Sequence, residues 1–376
     1  MVEEEKRKDE SNDVYRLKEG VRIFYNNDEE IRFRKGVWSY NEAIIKLEGQ
    51  EEKVKKFFTL VIDRLNKTDE ADVRHIAGEV GAGPKELRSY CEILDTLKGQ
   101  GFLYVSGDKE IERIVSSLMG GNISGFEEYI YDARPVLLVS DNEYAKEAAK
   151  MIAKQIKLPL DIMDKQTFSE IAQMDLTTKA EAVDYLKNLE KYQPVFSAYA
   201  CVIGSLVAPN VSLLRNLNRI LIKLEKPLIL GFIDGPFMSL LSTIVNQTGC
   251  FECFEHRMLA RLEDTVVYHK FVQSNRNYNN RKEDIKTNIF TPPVHMLTSA
   301  VITEGFLYAT FSMMRLAGRI VNIYLPVLEI QVQDLLRVPY CPACGFVSKA
   351  QMNEMYTSSR KLVDEMLTNI EIKNET

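Results

Sequence analysis

The segments Cys250-Phe251-Glu252-Cys253 (CFEC) and Cys341-Pro342-Ala343-Cys344 (CPAC) decide the fold of this 376-residue chain. Each CxxC turn directs two thiolates to one point, and two such turns supply the four ligands that tetrahedral zinc requires. Gly345 follows the second pair and lets the chain reverse tightly. The pairs lie 341 − 253 = 88 positions apart. A zinc ion held by all four cysteines would therefore join two distant parts of one domain.

Four sulfur ligands leave no coordination position for substrate or water, so the zinc is expected to be structural. Two alternatives stay open from the residues alone. Each CxxC pair could be a redox pair, although two pairs would need two redox sites and the surrounding thioredoxin pattern is absent. His256 could replace one thiolate. Cys91 and Cys201 lie in apolar patterns and are expected to be core residues.

Strand and helix patterns alternate before and around the first CxxC pair. This order predicts a parallel sheet with helices on both faces. Asp234-Gly235-Pro236 is expected to form a turn after a strand. The predicted strands are 135–140, 158–163, 200–207 and 227–233, the helices are 143–156, 211–224 and 293–316, a charged helical insert covers 172–191, a polar loop covers 275–288, and two paired strands cover 320–324 and 327–332.

The turn after the first of these strands, Ser140-Asp141-Asn142-Glu143, contains two acids and no glycine. A nucleotide site at this position needs glycines, because the backbone must approach the phosphates closely at a helix N-terminus. No GxGxxG or Walker A pattern occurs elsewhere, and no nucleophile and base set stands out among the four scattered histidines. We therefore expect a nucleotide-type fold that binds no ATP and has no catalytic residues of its own.

The first hundred residues show a different order of elements. Short strands are predicted at 21–25, at 31–34 and from Val37 onward, followed by helices at 54–65 and 71–80, a third helix opened by Pro84, and a closing strand at 102–105. This order predicts a winged-helix unit at residues 14–106. A polar tail at residues 1–13 precedes it, and a Gly- and Ser-bearing linker is expected at 107–132.

Charge and hydrophobicity exclude two classes of partner. The chain has 48 − 54 = −6 net charge, and residues 1–105 have 19 − 22 = −3, so the winged unit lacks the basic face of a nucleic-acid reader. The longest uncharged run, 192–214, is broken by Pro194, Pro209 and Asn210, and its apolar centre, 195–208, is too short for a membrane span. The polar N-terminus lacks the apolar region of a secretory signal. We expect a cytoplasmic protein that binds neither nucleic acid nor membrane.

The segment 227–261, with Asp234-Gly235-Pro236 and Thr248-Gly249 before the first CxxC pair, resembles the zinc-proximal half of E1-like (ThiF/MoeB-type) domains. The tail 338–345 is similar to their second zinc knuckle. With a winged unit in front, the chain resembles the E1-like partner proteins of thiazole/oxazole-modified microcin (TOMM) cyclodehydratases, which include streptolysin-S-associated C-type, ocin-ThiF-like and microcin B zinc proteins. This resemblance implies an α/β fold: an N-terminal winged-helix (α+β) peptide-binding domain, then an E1/ThiF-like Rossmann-type domain with structural zinc at 133–376.

In that family the winged unit is a recognition element for ribosomally synthesised and post-translationally modified peptides (RiPPs). It captures the leader of a precursor peptide. The E1-like part docks a YcaO protein, which uses ATP to cyclise Cys, Ser or Thr side chains. The resemblance therefore implies a non-catalytic component of a cyclodehydratase complex, with an FMN-dependent dehydrogenase in the same complex and a homodimeric state. Two alternatives are an active ThiF/MoeB-type adenylating enzyme and a zinc-stapled winged-helix transcriptional regulator.

Leader capture has a physical mechanism of its own. An exposed sheet edge accepts an extended peptide as an added strand, through main-chain hydrogen bonds. The third predicted strand is the expected edge, and the third helix would wall the groove. Trp38 is expected either as a peptide anchor or as a core residue. The candidate peptide-binding residues are Val37, Trp38, Ser39, Tyr40 and Ile44 on or after the strand, and Leu87, Tyr90, Cys91 and Leu94 on the helix.

Overall fold

A computed structural model describes residues 14–27, 29–38, 40–105, 110–120, 132–177, 182–275 and 291–345. The chain divides into two compact units, which meet in sequence between residues 131 and 132. The predicted polar tail at 1–13 lies outside the described residues. So do most of the predicted Gly120 to Gly125 loop and all but the first residue of the predicted loop at 275–288.

The first unit contains six strands and four helices among its described residues. In chain order they are β1 (Val14–Leu17), β2 (Val21–Asn27), β3 (Glu30–Lys35), β4 (Asn41–Lys46), α1 (Glu52–Thr68), β5 (Glu70–Asp72), α2 (Val73–Glu79), α3 (Pro84–Gly99), β6 (Leu103–Val105) and α4 (Glu110–Leu118).

Strands β2, β3 and β4 form an antiparallel meander, and β5, β1 and β6 form a second small sheet. Alternation along the meander buries Ile31 and Phe33 of β3 with Ala43 and Ile45 of β4, and these pack in one core with the apolar face of α1. The prediction that the third strand starts at Val37 is wrong. Gly36, at φ +90°, turns the chain, and β4 starts only at Asn41.

Helix α3 begins at Pro84, as its sequence predicts, and the Gly83 N–H donates to the Glu86 carboxylate at 2.6 Å. The predicted helix at 71–80 is shorter, because residues 70–72 form β5 and the Asp72 side chain caps α2. The segment 107–132 contains helix α4, which a plain linker prediction had missed. Ile111 and Val115, four residues apart, are buried.

The second unit is an α/β structure. Its elements are β7 (Val136–Ser140), α5 (Glu143–Gln155), β8 (Leu160–Ile162), α6 (Lys165–Gln173), α7 (Ala182–Ser197), β9 (Val202–Leu206), α8 (Val211–Lys223), β10 (Leu228–Asp234), β11 (Phe237–Thr243), α9 (Phe251–Leu259), α10 (Thr265–Asn275), α11 (Thr291–Phe311), β12 (Arg319–Tyr324) and β13 (Glu329–Asp334).

These strands form one seven-stranded mixed sheet in the order β13-β12-β11-β10-β9-β7-β8. Strands β8, β7, β9 and β10 are parallel, as predicted, whereas β10 to β13 are antiparallel. Strand β11 was not predicted. Asp234-Gly235-Pro236 is a turn, with Gly235 at φ +56°, but it is the tight turn of a β10–β11 hairpin.

Helices cover both faces of this sheet. Leu228, Leu230 and Phe232 of β10 share one core cluster with the apolar face of α8. The opposite face packs on α11, where Gly231 allows close contact: a Cβ there would lie 2.6 Å from Leu297 Cδ1. Among the described helices, none is both long and apolar enough to cross a membrane.

Candidate functional site

The four cysteines of the two CxxC motifs meet in the second unit. Cys250 caps the N-terminus of α9 and Cys253 lies in its first turn, while Cys341 and Cys344 follow β13. The Sγ–Sγ distances are 3.8 Å for Cys250 and Cys253, 3.6 Å for Cys250 and Cys341, and 3.4 Å for Cys253 and Cys344. All four sulfurs lie within 4.8 Å of one another and all four residues are buried.

This sulfur cluster has the dimensions of a metal site. Four sulfurs at about 2.3 Å from a tetrahedral zinc ion are about 3.8 Å from one another, close to the distances in the cluster. No disulfide joins these cysteines. His256 is exposed and does not belong to the cluster. The site therefore fits a metal ion held by four sulfurs, and the structure gives no support to an imidazole ligand.

Main-chain geometry around the cluster requires glycine at two positions. A Cβ on Gly345 would lie 2.5 Å from the Cys341 carbonyl oxygen, and the Gly345 N–H donates to that oxygen at 2.9 Å. A Cβ on Gly249 would lie 2.8 Å from the Leu335 carbonyl oxygen. Both contacts are too short for any side chain. The glycines next to the CxxC motifs thus bring the two distant segments together.

Hydrogen bonds to the sulfurs and to their backbone complete the site. The Val338 N–H donates to Cys253 Sγ at 3.3 Å, which favours the thiolate form. The Arg337 guanidinium donates to the Cys344 carbonyl at 2.9 Å and to the Asn246 carbonyl at 3.1 Å. Bonding from the Cys250 thiol lowers the pKa of Cys253, while the same bond raises the pKa of Cys250. The four sulfurs are therefore linked to one another by hydrogen bonds.

Two ion pairs hold helix α9, and with it the first CxxC motif, against α8. The Arg219 guanidinium donates to both oxygens of the Glu252 carboxylate at 2.8 Å, and both residues are buried. Arg215 donates to both oxygens of Glu255 at 2.6 to 3.1 Å. Burial, with help from Glu255, raises the pKa of Tyr268, whose hydroxyl donates to Glu255 at 2.6 Å. These charges are satisfied within the second unit.

These ion pairs were not predicted from the sequence. The sequence pattern that indicates them is a pair of acids three positions apart, within and just after CFEC, and a pair of arginines four positions apart on α8. Each spacing places the two residues on one helix face.

Of the two cysteines outside the cluster, which were predicted to be core residues, one is fully buried. Cys201 is fully buried, and burial raises the pKa of its thiol to about 12, whereas Cys91 is half-buried.

The turn after β7 lies where strand order reverses, between β7 and β9, which is where open α/β sheets bind ligands. The Asp141 carboxylate accepts from the main-chain N–H groups of Val207 and Ala208, at 2.9 and 2.8 Å. The Asn142 side chain caps α5 by accepting from the Ala145 N–H. The Asp141 carboxylate thus occupies the two main-chain N–H donors that lie at this switch point.

In the first unit, three of the predicted peptide-binding residues, Val37, Trp38 and Tyr40, lie in the β3–β4 loop and not on a strand. Trp38 is 92% exposed, so its prediction as a core residue is wrong. Val37 is exposed, and the exposed Tyr40 ring stacks on the Arg34 guanidinium at 3.7 Å. Ser39 lies outside the described residues. Ile44 lies on β4 with 43% of its surface exposed.

The candidate residues on α3 are mostly withdrawn from the surface. Tyr90 and Leu94 are buried in the core of the unit, and the Tyr90 ring stacks on Phe57 at 4.3 Å. Leu87 and Cys91 are partly buried against the same core. Tyr90 and Leu94 therefore support the fold, and their prediction as groove-lining residues is corrected. The helical spacing that suggested them is equally the spacing of a core face.

A structure of the heterocyclase TruD matches with a TM-score of 0.57 at 14% identity, over 90% of this chain and 44% of that chain. The chain shares the fold of the heterocyclase TruD. A heterocyclase in complex with substrate and cofactor matches with a TM-score of 0.56 at 14% identity, over 88% of this chain and 39% of that chain.

The predicted resemblance is confirmed at the level of the fold, since the chain shares the fold of a heterocyclase. The chain spans less than half the length of these two heterocyclase chains. A structure of E. coli MccB covers 89% of this chain and 97% of that chain at 14% identity, but a TM-score of 0.46 supports no inference. No protein-family model and no curated protein sequence matches the chain.

Proposed function

We propose that this protein is the peptide-binding, non-catalytic component of an azoline-forming cyclodehydratase. Its first unit is a winged-helix RiPP recognition element that captures the leader of a precursor peptide. Its second unit presents that peptide to a YcaO partner, which performs the ATP-dependent cyclisation of Cys, Ser or Thr. The observation that carries this proposal is the TruD fold, which extends over 90% of the chain. An FMN-dependent dehydrogenase in the complex and a homodimeric state belong to the same proposal.

Peptide capture is assigned to the free edge of β4. Within the described residues, β4 pairs with β3 alone, in an uninterrupted register from Glu30↔Lys46 to Lys35↔Asn41. The opposite edge of the meander, β2, has a register irregularity between Tyr25 and Asn27, a device that protects edges from pairing. An extended peptide would add to the regular edge more readily than to the irregular one.

The hydrogen-bond alternation identifies which main-chain groups of β4 are available. The Leu47 N–H donates to the Glu29 carbonyl of the neighbouring chain segment at 2.7 Å. Successive residues of a strand turn their main-chain groups to opposite sides. Residues 41, 43 and 45 therefore bond to β3, whereas Glu42, Ile44 and Lys46 direct their N–H and C=O groups to the free edge.

We assign zinc to the four-cysteine cluster, as a structural ion. Cys250, Cys253, Cys341 and Cys344 would hold it, and a closed four-sulfur shell would leave no position for substrate. The ion would fasten the start of α9 to the segment after β13. Structural zinc contributes on the order of 10 kcal/mol to the folding of small zinc-dependent domains, so we expect the second unit to depend on it.

The ATP-using step is assigned to the YcaO partner because the switch-point turn disfavours a phosphate. An incoming triphosphate would have to displace the Asp141 side chain from the Val207 and Ala208 N–H groups, which already donate to it at 2.9 and 2.8 Å. An active adenylating enzyme would instead catalyse ATP-dependent pyrophosphate exchange on a peptide C-terminus. We expect no such exchange from this chain.

The proposal is tested by fluorescence polarisation with the labelled leader of the precursor peptide encoded beside this gene. Ile44→Pro removes a donor on the free edge and keeps the β3 ladder, so we expect roughly tenfold weaker binding. The matched control is Val332→Pro on the edge strand β13. Because the Leu335 N–H bonds to the Gly318 carbonyl, the Val332 N–H also points to a free edge. No binding by the wild-type chain below high micromolar concentrations would overturn the proposal.

A further inference from the structure

We propose that β4 selects peptides in which an acidic residue and an apolar residue are separated by one position. The apolar residue would lie opposite Ile44 and the acidic residue opposite Lys46. This inference rests on the proposed function, since it assumes that an extended peptide pairs with the β4 edge. It adds the side-chain chemistry of the bound segment, which main-chain pairing does not determine.

Strand geometry links the available main-chain groups to one set of side chains. Alternate residues of a strand share one face, so Glu42, Ile44 and Lys46 direct their side chains to the same side of the meander. The buried Ala43 and Ile45 direct theirs to the core. A peptide residue paired directly with Ile44 would therefore place its side chain on the outer face, about 5 Å from the Ile44 Cβ.

Ile44 is the apolar member of the outer row of β4. Its side chain is 43% exposed, and the register continues from Ile44 to Arg32 and then to the exposed Phe24. An apolar side chain beside Ile44 would remove apolar surface of both residues from water. A charged or small residue at that position would lose this gain, so the position opposite Ile44 favours a large apolar residue.

Lys46 is the charged member with capacity for a further partner. The two carboxylates of the outer face are already engaged: Glu30 pairs with Arg32 at 2.9 Å, and Glu42 pairs with Arg32 at 2.7 Å and Arg34 at 3.7 Å. Lys46 lies opposite Glu30 of β3 but is not within ion-pair distance of it or of any other described acid. A carboxylate opposite Lys46 would be the cross-strand, opposite-charge pair that stabilises sheets.

The summed charge of the outer face favours the same ligand. Four cations and two carboxylates of β2, β3 and β4 give 4 − 2 = +2 on a face of a chain whose net charge is −6. A peptide carrying acidic residues would be attracted to this face. We do not expect the peptide to need a basic residue opposite Glu42, because two arginines of the chain already pair with the Glu42 carboxylate. The four cations are Arg22, Arg32, Arg34 and Lys46.

The test is a selection from a phage-displayed library of random 12-residue peptides on the full-length chain. The wild type should enrich sequences with an acid and a large apolar residue separated by one position. In antiparallel pairing the acid comes first, and in parallel pairing it comes second, so the order reports the strand direction. Lys46→Glu should replace the acid by Lys or Arg and retain the apolar residue, while Lys154→Glu, a control on the exposed surface of α5, should leave the selected motif unchanged.

Synthetic peptides from the selection provide the quantitative test. Exchanging the acid for Lys should weaken wild-type binding roughly 3- to 30-fold and strengthen binding to the Lys46→Glu chain by a similar factor, from the loss of one attractive pair and the gain of one repulsive pair. Lys46→Gln, which adds no repulsion, should be insensitive to the exchange. The same enriched motif on wild-type and Lys46→Glu chains would overturn this inference alone, whereas no sequence enriched over the Ile44→Pro chain would overturn the proposed function.

Discussion

The buried pair Arg219–Glu252 is a contact whose loss should measurably weaken the second unit. Replacing Glu252 by Gln keeps the size of the side chain and removes its charge. The guanidinium would lose a carboxylate that accepts two hydrogen bonds at 2.8 Å, and it would remain a charged group with only 5% of the residue exposed. Breaking a buried ion pair in this way costs about 3 to 5 kcal/mol.

The lower end of that range applies here. Arg219 keeps a second partner, because its Nη1 donates to the Leu176 carbonyl at 2.6 Å, and the amide oxygen introduced by Glu252→Gln would still accept one bond. We therefore expect about 3 kcal/mol, which corresponds to a roughly 150-fold larger unfolding constant. A domain is stable by only about 5 to 15 kcal/mol in total. The variant should fold, but its free energy of unfolding should be small.

The assay is equilibrium urea unfolding followed by the reaction of the buried thiols with a chromogenic disulfide. Five of the six cysteines lie in the second unit and are buried, so thiol exposure reports that unit. The matched control is Glu263→Gln, which removes the same charge from an exposed position. Equal unfolding free energies, within about 0.5 kcal/mol, for Glu252→Gln and Glu263→Gln would refute the argument that this pair holds α9 in place.

Three further changes have defined outcomes. Cys341→Ser should reduce the metal content from about one zinc ion per chain to near zero by elemental analysis and lower the thermal midpoint; equal metal in variant and wild type would refute the site. Gly345→Ala should make the protein lose its metal faster to a chelator, because the added Cβ would lie 2.5 Å from the Cys341 carbonyl oxygen. The control Gly78→Ala should behave as wild type, because a Cβ added at Gly78 would have no other atom within 4 Å. Bonding to Lys191 first, and then to Gln166 and Tyr192, lowers the pKa of Glu170 from 4.5 to about 2. Its stabilisation is therefore complete above pH 4.5 and is lost as the pH falls to 2, so thermal midpoints of wild type and Glu170→Gln should differ at pH 6 and converge near pH 2. A constant difference across this range would contradict that assignment.

The positions of the parallel strands and the pairing of the four cysteines could be predicted from the sequence, because both depend on local spacing. Continuous apolar runs locate β7, β9 and β10, and two CxxC motifs locate the sulfurs. Strand β11 could not be predicted in the same way. Its sequence follows a turn and alternates weakly, since residues 238–243 are buried on both faces of the sheet and leave no polar face to mark a strand.

The surroundings of the candidate residues on α3 were predicted less accurately than the four-cysteine cluster. An apolar residue at helical spacing indicates a buried face, but it does not say whether a protein core or a ligand covers that face. Tyr90 and Leu94 were covered by the core. Conversely, an aromatic residue after a glycine gives no indication of its exposure, and Trp38 lies in a loop because Gly36 ends β3.

The exposed position of Trp38 has a consequence for spectroscopy. It is the only indole in the chain, so intrinsic tryptophan emission originates from a single loop of the first unit and is silent about the second. Because this indole is already surrounded by water, unfolding should change its emission very little, and a flat signal during denaturation would say nothing about stability. A molecule that covers the loop should instead shift the emission to shorter wavelength, which makes the native chain its own label-free reporter of binding.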